Sequence, residues 1–150
     1  MRKKNDSRAY DLDYYTLYLH RYLTEHRFPE ANDEVLIAAR AEAAANVYVE
    51  SRLAGDEVFV SSEKAMQSLL SGFEISSYEL IRGILIEEFS DHISLDERSI
   101  EFWTNTYLQE LQSEFKGIEL SEEFLNTNEG VIFKLVISGR IAEYFEGYGL

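Results

Sequence analysis

The chain contains no cysteine, so no disulfide can hold its fold together. It does not need one. Hydrophobic residues make up 45% of its 150 positions, among them ten tyrosines, nine phenylalanines and one tryptophan, and a chain of this length buries roughly 68–70% of its unfolded surface. The absence also fits a reducing compartment. Proline occurs once, at Pro29, and glycine only eight times. Both residues interrupt helices, so their scarcity predicts long helices joined by short connections. Long apolar runs are missing too. The longest, from Val131 to Ile137, is broken by Lys134, whereas a membrane span needs roughly 18–20 apolar residues. No apolar stretch follows Met1-Arg2-Lys3-Lys4; Asn5, Asp6, Ser7 and Arg8 come next, unlike an export signal. A cytoplasmic protein with no membrane contact is the expectation.

Positive charge is equally scarce. Fourteen basic residues face 28 acidic ones, a formal net charge of −14. Four of the bases (Arg2, Lys3, Lys4 and Arg8) lie in the first eight residues beside one acid, Asp6, so the rest of the chain carries −17. A body of that sign repels phosphate backbones, and direct nucleic-acid binding is not expected. Residues 1–10 read as a disordered basic tail, and 11–150 as a single helical domain.

What is present is helical periodicity. The first helix is expected from about Leu12 to His26, with Asp13, Thr16, His20, Thr24 and Arg27 as its polar stripe and tyrosine and leucine elsewhere. Pro29 ends it, because proline keeps the preceding residue out of the α region. A second helix, capped by Asn32, runs to Ala54 and stops at Gly55. Its centre is rich in alanine, which allows another helix to approach closely, and Glu42, Asn46 and Glu50 form its wet stripe. A short extended piece is expected over Glu57-Val58-Phe59-Val60. The third helix spans roughly Ser61 to Ser71, with Ala65, Met66, Leu69, Leu70 and Phe73 as its seam. The fourth opens on a capping box, Ser76 with Glu79, and is apolar almost all round. The fifth opens on a second box at Ser94-Leu95-Asp96-Glu97. Its inward face is Ile100, Trp103, Tyr107, Leu108, Leu111 and Phe115; its outward face is Glu101, Asn105, Gln109, Gln112 and Lys116. The sixth begins near Asn126-Thr127-Asn128-Glu129. Its β-branched segment 131–137 also fits a strand, but the apolar pattern continues through Ile141, Ala142 and Phe145, which favours helix. The expected fold is therefore all-α: a compact multihelical array of about six helices, with two small bundles sharing the fourth as one arrangement it allows.

Candidate chemistry is thin. Carboxylate-bridged metal sites in helical bundles use Glu-x-x-His, which this chain lacks. Glu88 and His92, four apart near Glu87 and Asp91, are the nearest approach, but with one histidine and no second half-site they read as solvated residues around a helix end. No calcium loop, nucleophile elbow or phosphate-cradling glycine loop occurs. No catalytic residue, metal ligand or cofactor is expected.

Two clusters point to surfaces instead. Five of the ten tyrosines lie between Tyr10 and Tyr22. Tyr14, Tyr18 and Tyr22 are either part of a helix packed on two sides with wet hydroxyls, or an interface, since tyrosine combines apolar area with a hydroxyl. Arg40, Tyr48 and Arg52 share the alanine-rich helix. An arginine there is expected to be half-buried and paired with a carboxylate; ligand contact is the other reading.

The ordered residues Tyr15, Leu17, Tyr18, Leu19 and Tyr22-Leu23 are followed by Ile37-x-x-Arg40-Ala41, Ala44-Ala45, Tyr48 and Arg52-Leu53-x-Gly55. Ala65-Met66-x-x-Leu69-Leu70-x-Gly72-Phe73, Ser76-x-Tyr78 and Glu88-Phe89 come after them. This pattern resembles an uncharacterised family of small helical Bacteroidetes proteins, domain of unknown function 1896, often encoded near mobile elements. The resemblance covers about Asp13 to the end. It implies a compact multihelical, cytoplasmic protein and brings no activity, cofactor or site residue. The expected function is a non-enzymatic protein-interaction module with a protein partner or a second copy of itself. An acidic DNA mimic, occupying a nucleic-acid-binding protein, is the alternative, and a metal-dependent enzyme a third.

Overall fold

The computed structural model describes the backbone of residues 2–147 and the side chains of residues 12–147. The basic start expected at 1–10 therefore falls on side chains outside the described residues. Among the described residues there are seven α-helices and two short 3-10 turns, and no strand. The chain forms two compact units, residues 1–73 and 74–150, each with its own apolar core.

The first unit holds α1 (Arg2–Glu25), α2 (Glu34–Leu53) and α3 (Val58–Leu70). Tyr15, Leu19 and Leu23, spaced four apart on α1, pack into a core with Ile37, Ala41, Ala44, Ala45, Ala65 and Leu69. Burial of each leucine contributes roughly 1.5–3 kcal/mol. The alanines of α2 divide by face: Ala41, Ala44 and Ala45 are buried, whereas Ala38, Ala39 and Ala43 are exposed. The small buried face lets α1 and α3 both lie against α2.

The two long helices end alike. After α1 the Phe28 amide donates to Leu23 O at 2.8 Å and the Arg27 amide to Thr24 O at 3.2 Å, a Schellman motif with Arg27 at φ 61°. After α2 the Asp56 amide donates to Ser51 O at 3.1 Å and that of Gly55, at φ 100°, to Arg52 O at 3.0 Å. Phe28 is extended, as a residue before proline should be. The cap of α2 is Asp33, whose carboxylate accepts from the Leu36 amide at 3.1 Å, not Asn32, which lies in the 3-10 turn Pro29–Asn32. The extended piece expected at 57–60 is also corrected. Only Glu57 is extended, as N-cap, and the helix starts at Val58. The β preference of two valines loses there to the α2–α3 turn, where the Ser61 amide donates to Glu57 O at 2.9 Å and the fully buried Ser61 hydroxyl to Ser51 Oγ at 2.9 Å.

The second unit holds α4 (Ser77–Glu88), α5 (Glu97–Glu110), α6 (Glu122–Leu125) and α7 (Asn128–Gly147). The capping box of Ser76 and Glu79 is present in both directions, each bond 3.1 Å. Leu80, Ile81, Ile84 and Leu85 of α4 all lie in this unit's core, with Ile137, Ile141 and Phe145 from α7. The second box is different from expectation. Asp96 caps α5 by accepting from the Ser99 amide at 2.9 Å, and Ser94 donates its hydroxyl to Asp96 at 2.5 Å. Of the inward residues, Ile100, Tyr107 and Leu111 are buried and Trp103, Leu108 and Phe115 are partly so. Segment 131–137 is helical, inside α7. The single turn α6 had no sequence counterpart; it seats against Gly130, whose missing Cβ would stand 1.9 Å from Phe124 O.

Candidate functional site

Helix α1 presents three adjacent rows of residues four apart. Tyr15, Leu19 and Leu23 fill the core. Tyr14, Tyr18 and Tyr22 form the neighbouring row, with ring centroids of Tyr14 and Tyr18 6.0 Å apart. Leu17, 69% exposed, Arg21 and Glu25 form a third. A groove of about 300 Å³ runs between the outer two rows, lined by Tyr14, Leu17, Tyr18, Arg21, Tyr22 and Glu25. Its open end is apolar and exposed, at Tyr14, Leu17 and Tyr18. Its far end is tied down: the Tyr22 hydroxyl donates to Phe73 O at 2.7 Å, and its ring packs 4.3 Å from His26 and 6.3 Å from Phe28. Leu17, Arg21 and Glu25 join the groove although no sequence motif singles them out. Their spacing from the tyrosines, three positions on, is the signal that would have found them.

The other cluster does not reach this groove. Arg40 Nη1 donates to Leu69 O at 3.0 Å and Ser68 O at 3.4 Å, and its guanidinium lies 4.9 Å from the Phe73 ring centre. It therefore satisfies carbonyls at the end of α3, where a cation is favoured by the helix dipole, rather than a carboxylate. Arg52 Nη1 donates to Asp56 O at 2.9 Å, again to a carbonyl. Tyr48 packs, half-buried, against the first core.

Asp56, Asp96 and Tyr107 have displaced titration, and each has its own surroundings. Asp56 accepts from Lys64 Nζ at 2.8 Å and from the Ser51 hydroxyl at 2.5 Å. These hydrogen bonds, that of Lys64 foremost, hold its carboxyl below the usual range. Asp96 is lowered by Ser94, then by the Ser99 amide. Tyr107 is pushed far above an ordinary phenol, first by burial and then by nearby Tyr144 and Glu110. Its ring stands among Trp103, Tyr144 and Phe145, and its hydroxyl meets no hydrogen-bond partner among the described residues. At Glu88 the carboxylate accepts from the Ser138 hydroxyl, and the His92 ring stacks on Phe145 at 5.0 Å. Among the described residues no three His, Asp or Glu side chains are placed to hold a metal ion, and no helix is long and apolar enough to cross a membrane.

Comparison with known proteins supplies a family. The model described as Domain of unknown function (DUF1896) matches residues 7–150. The crystal structure of protein PG0816 from Porphyromonas gingivalis superimposes with a TM-score of 0.82, at 23% identity, over 95% of this chain and 96% of that one; it shares the fold. No curated protein matches the chain. The chain belongs to the DUF1896 family.

Proposed function

We propose that this member of the DUF1896 family is a non-enzymatic protein-interaction module of the cytoplasm, and that it receives its protein partner on the outer face of α1. The observation that carries the reading is the placement of Tyr14, Leu17 and Tyr18. A helix that needed these residues only for packing would turn them inward, and α1 turns the neighbouring row inward instead. Two tyrosines and a leucine around a groove offer apolar area at low entropic cost and two hydroxyls for orientation. Arg21 and Glu25 at the groove's side supply one charge of each sign, which suits a partner with a mixed polar rim around an apolar residue.

The test compares the wild-type chain with the triple variant Tyr14→Ala, Leu17→Ala, Tyr18→Ala as bait in native lysate, followed by titration calorimetry on the purified prey. A partner held by the wild type and weakened at least tenfold by the triple variant supports the reading, in line with the energy of central aromatic anchors. A partner that both baits hold equally removes α1 from the contact.

A further inference from the structure

The groove on α1 lies between two rows of one helix, Tyr14, Tyr18 and Tyr22 on one side and Leu17, Arg21 and Glu25 on the other. Each row steps by four residues and forms a ridge. Helices pack by laying a ridge of one into the groove between ridges of another, so a groove of this form suits a second helix. One of its charges is also unspent. Arg21 makes no hydrogen bond or ion pair with any described residue, although the chain carries 28 acids against 14 bases. A guanidinium left open in this way is attracted to the face of an aromatic ring, and nearly half of Tyr14 is open too, at 46%.

Resting on the reading of α1 as the contact face, we propose that its occupant is α1 of a second copy of the chain, in antiparallel two-fold contact. The places of the open residues select that occupant. Tyr14 and Arg21 are equally spaced about a point between 17 and 18. Seven residues are almost two full turns, so both share the middle of the face. A two-fold axis through that point sets the Tyr14 ring of each copy against the Arg21 guanidinium of the other, and the contact forms twice. Leu17 and Tyr18, three and four residues on from Tyr14, fall on its two sides. The same axis lays each of them on its own counterpart, offset by about 1.5 Å along the helix. Leu17, 69% exposed, is thereby covered by leucine. Parallel alignment sets Arg21 against Arg21, which is destabilising. An unrelated helix would need its own cation and ring at this spacing, whereas a second copy carries them by symmetry. With a tyrosine presenting roughly 200 Å², the open parts of these four residues amount to roughly 400 Å² per copy. Two copies cover about 800 Å², below the roughly 1,200 Å² of standard interfaces, so the dimer is weak and reversible.

Sedimentation equilibrium of the full chain, from about 1 µM to about 500 µM, reads the association directly. Salt at about 0.3 M screens the repulsion between two copies of net charge −14. The expected result is reversible growth from 17.4 kDa toward twice that mass. Leu17→Glu is expected to weaken dimerisation at least tenfold. Tyr14→Ala and Arg21→Ala are each expected to weaken it severalfold, and the two together no further, because both remove one contact. Direction is read by cross-linking, since the chain has no cysteine of its own. On oxidation Leu17→Cys should give a covalent dimer. Glu25→Cys should not, because about 22 Å along the helix separates that position in the two copies, beyond the roughly 7 Å that a disulfide spans. A monomer across the whole range, a dimer indifferent to Leu17→Glu, or Glu25→Cys linking as readily as Leu17→Cys overturns the inference. A monomeric chain whose lysate partner, a different protein, is lost with the triple α1 variant overturns this occupant and leaves the α1 face standing. A partner held equally by both baits, with no dimer, removes both.

Discussion

Replacing Tyr107 by phenylalanine should make the protein more stable, although it deletes a polar group from the centre of a packed unit. Tyr107 is 1% exposed, and its hydroxyl has no hydrogen-bond partner among the described residues. A buried hydroxyl left unmade costs about 1–3 kcal/mol, whereas one that is satisfied contributes about 0.5–1.5 kcal/mol. The aromatic contacts with Trp103, Tyr144 and Phe145 survive the change, because phenylalanine keeps the ring. The expected gain is thus about 1–2 kcal/mol. With a urea m-value of about 2 kcal/mol/M, the midpoint rises by about 0.5–1 M. Alkaline titration gives a second readout. The folded pKa of Tyr107 lies above the ordinary value of 10.0, so above that pH the unfolded chain releases this proton while the folded chain keeps it. The folded state then binds more protons, and stability falls as pH climbs from the unfolded toward the folded pKa; below the unfolded value the contribution is complete. Tyr107→Phe removes that share of the alkaline loss. A lowered urea midpoint at neutral pH would refute the reasoning, because it would mean the hydroxyl is bonded.

Three further outcomes follow from the same structure. Gly130→Ala places a Cβ 1.9 Å from Phe124 O and 2.7 Å from Leu125 Cα; since both are backbone, the α6–α7 turn must move, and a loss of about 3 kcal/mol or more is expected in urea melts. Arg27→Gly relieves a left-handed backbone (φ 61°) at the position where glycine normally ends a helix, and should raise the urea midpoint by a gain of about 0.5–1 kcal/mol. Asp56 has a depressed carboxyl pKa, so its contribution is present above the unfolded pKa and is lost as pH falls through the folded one. Asp56→Asn should therefore lower the midpoint at neutral pH and flatten the acid side of the midpoint-against-pH curve; an unchanged acid slope would remove Asp56 from that role.

Much of the helical plan was legible because its signals are local. Ser76 and Glu79 satisfy each other's amides within four residues, and Gly55 and Gly72 mark left-handed ends that any helix periodicity would reach. The misreadings came where a nearby competitor won. Ser94 looks like a cap, but Asp96 is the stronger acceptor and takes the Ser99 amide while Ser94 serves it as a donor. Val58 and Val60 favour a strand, but a strand there would leave the Ser61 hydroxyl, 0% exposed, without Ser51. The turn α6 was invisible for a different reason: four residues carry no period, and its seat is defined only by the close approach at Gly130.

On α1 the sequence leaves a choice that packing resolves. Rows 15-19-23 and 14-18-22 are both apolar enough to face a core, and periodicity alone cannot rank them. Composition can. Two leucines in the first row have no polar atom to satisfy, so full burial costs them nothing, whereas three tyrosines in the second carry three hydroxyls that each need water or an acceptor. A boundary position answers that need, and the structure shows it changing along the row. Tyr14 is exposed, Tyr18 is slightly less so, and Tyr22 is half-buried with its hydroxyl on Phe73 O. The groove is thus open at one end and anchored at the other. Substitution at Tyr22 therefore reports on stability, through a lost 2.7 Å hydrogen bond. Tyr14 meets the core only through the edge of Tyr15, 5.4 Å between ring centres, so a loss of partner affinity on substitution at Tyr14 or Tyr18 that leaves the urea midpoint in place is an effect on the contact itself.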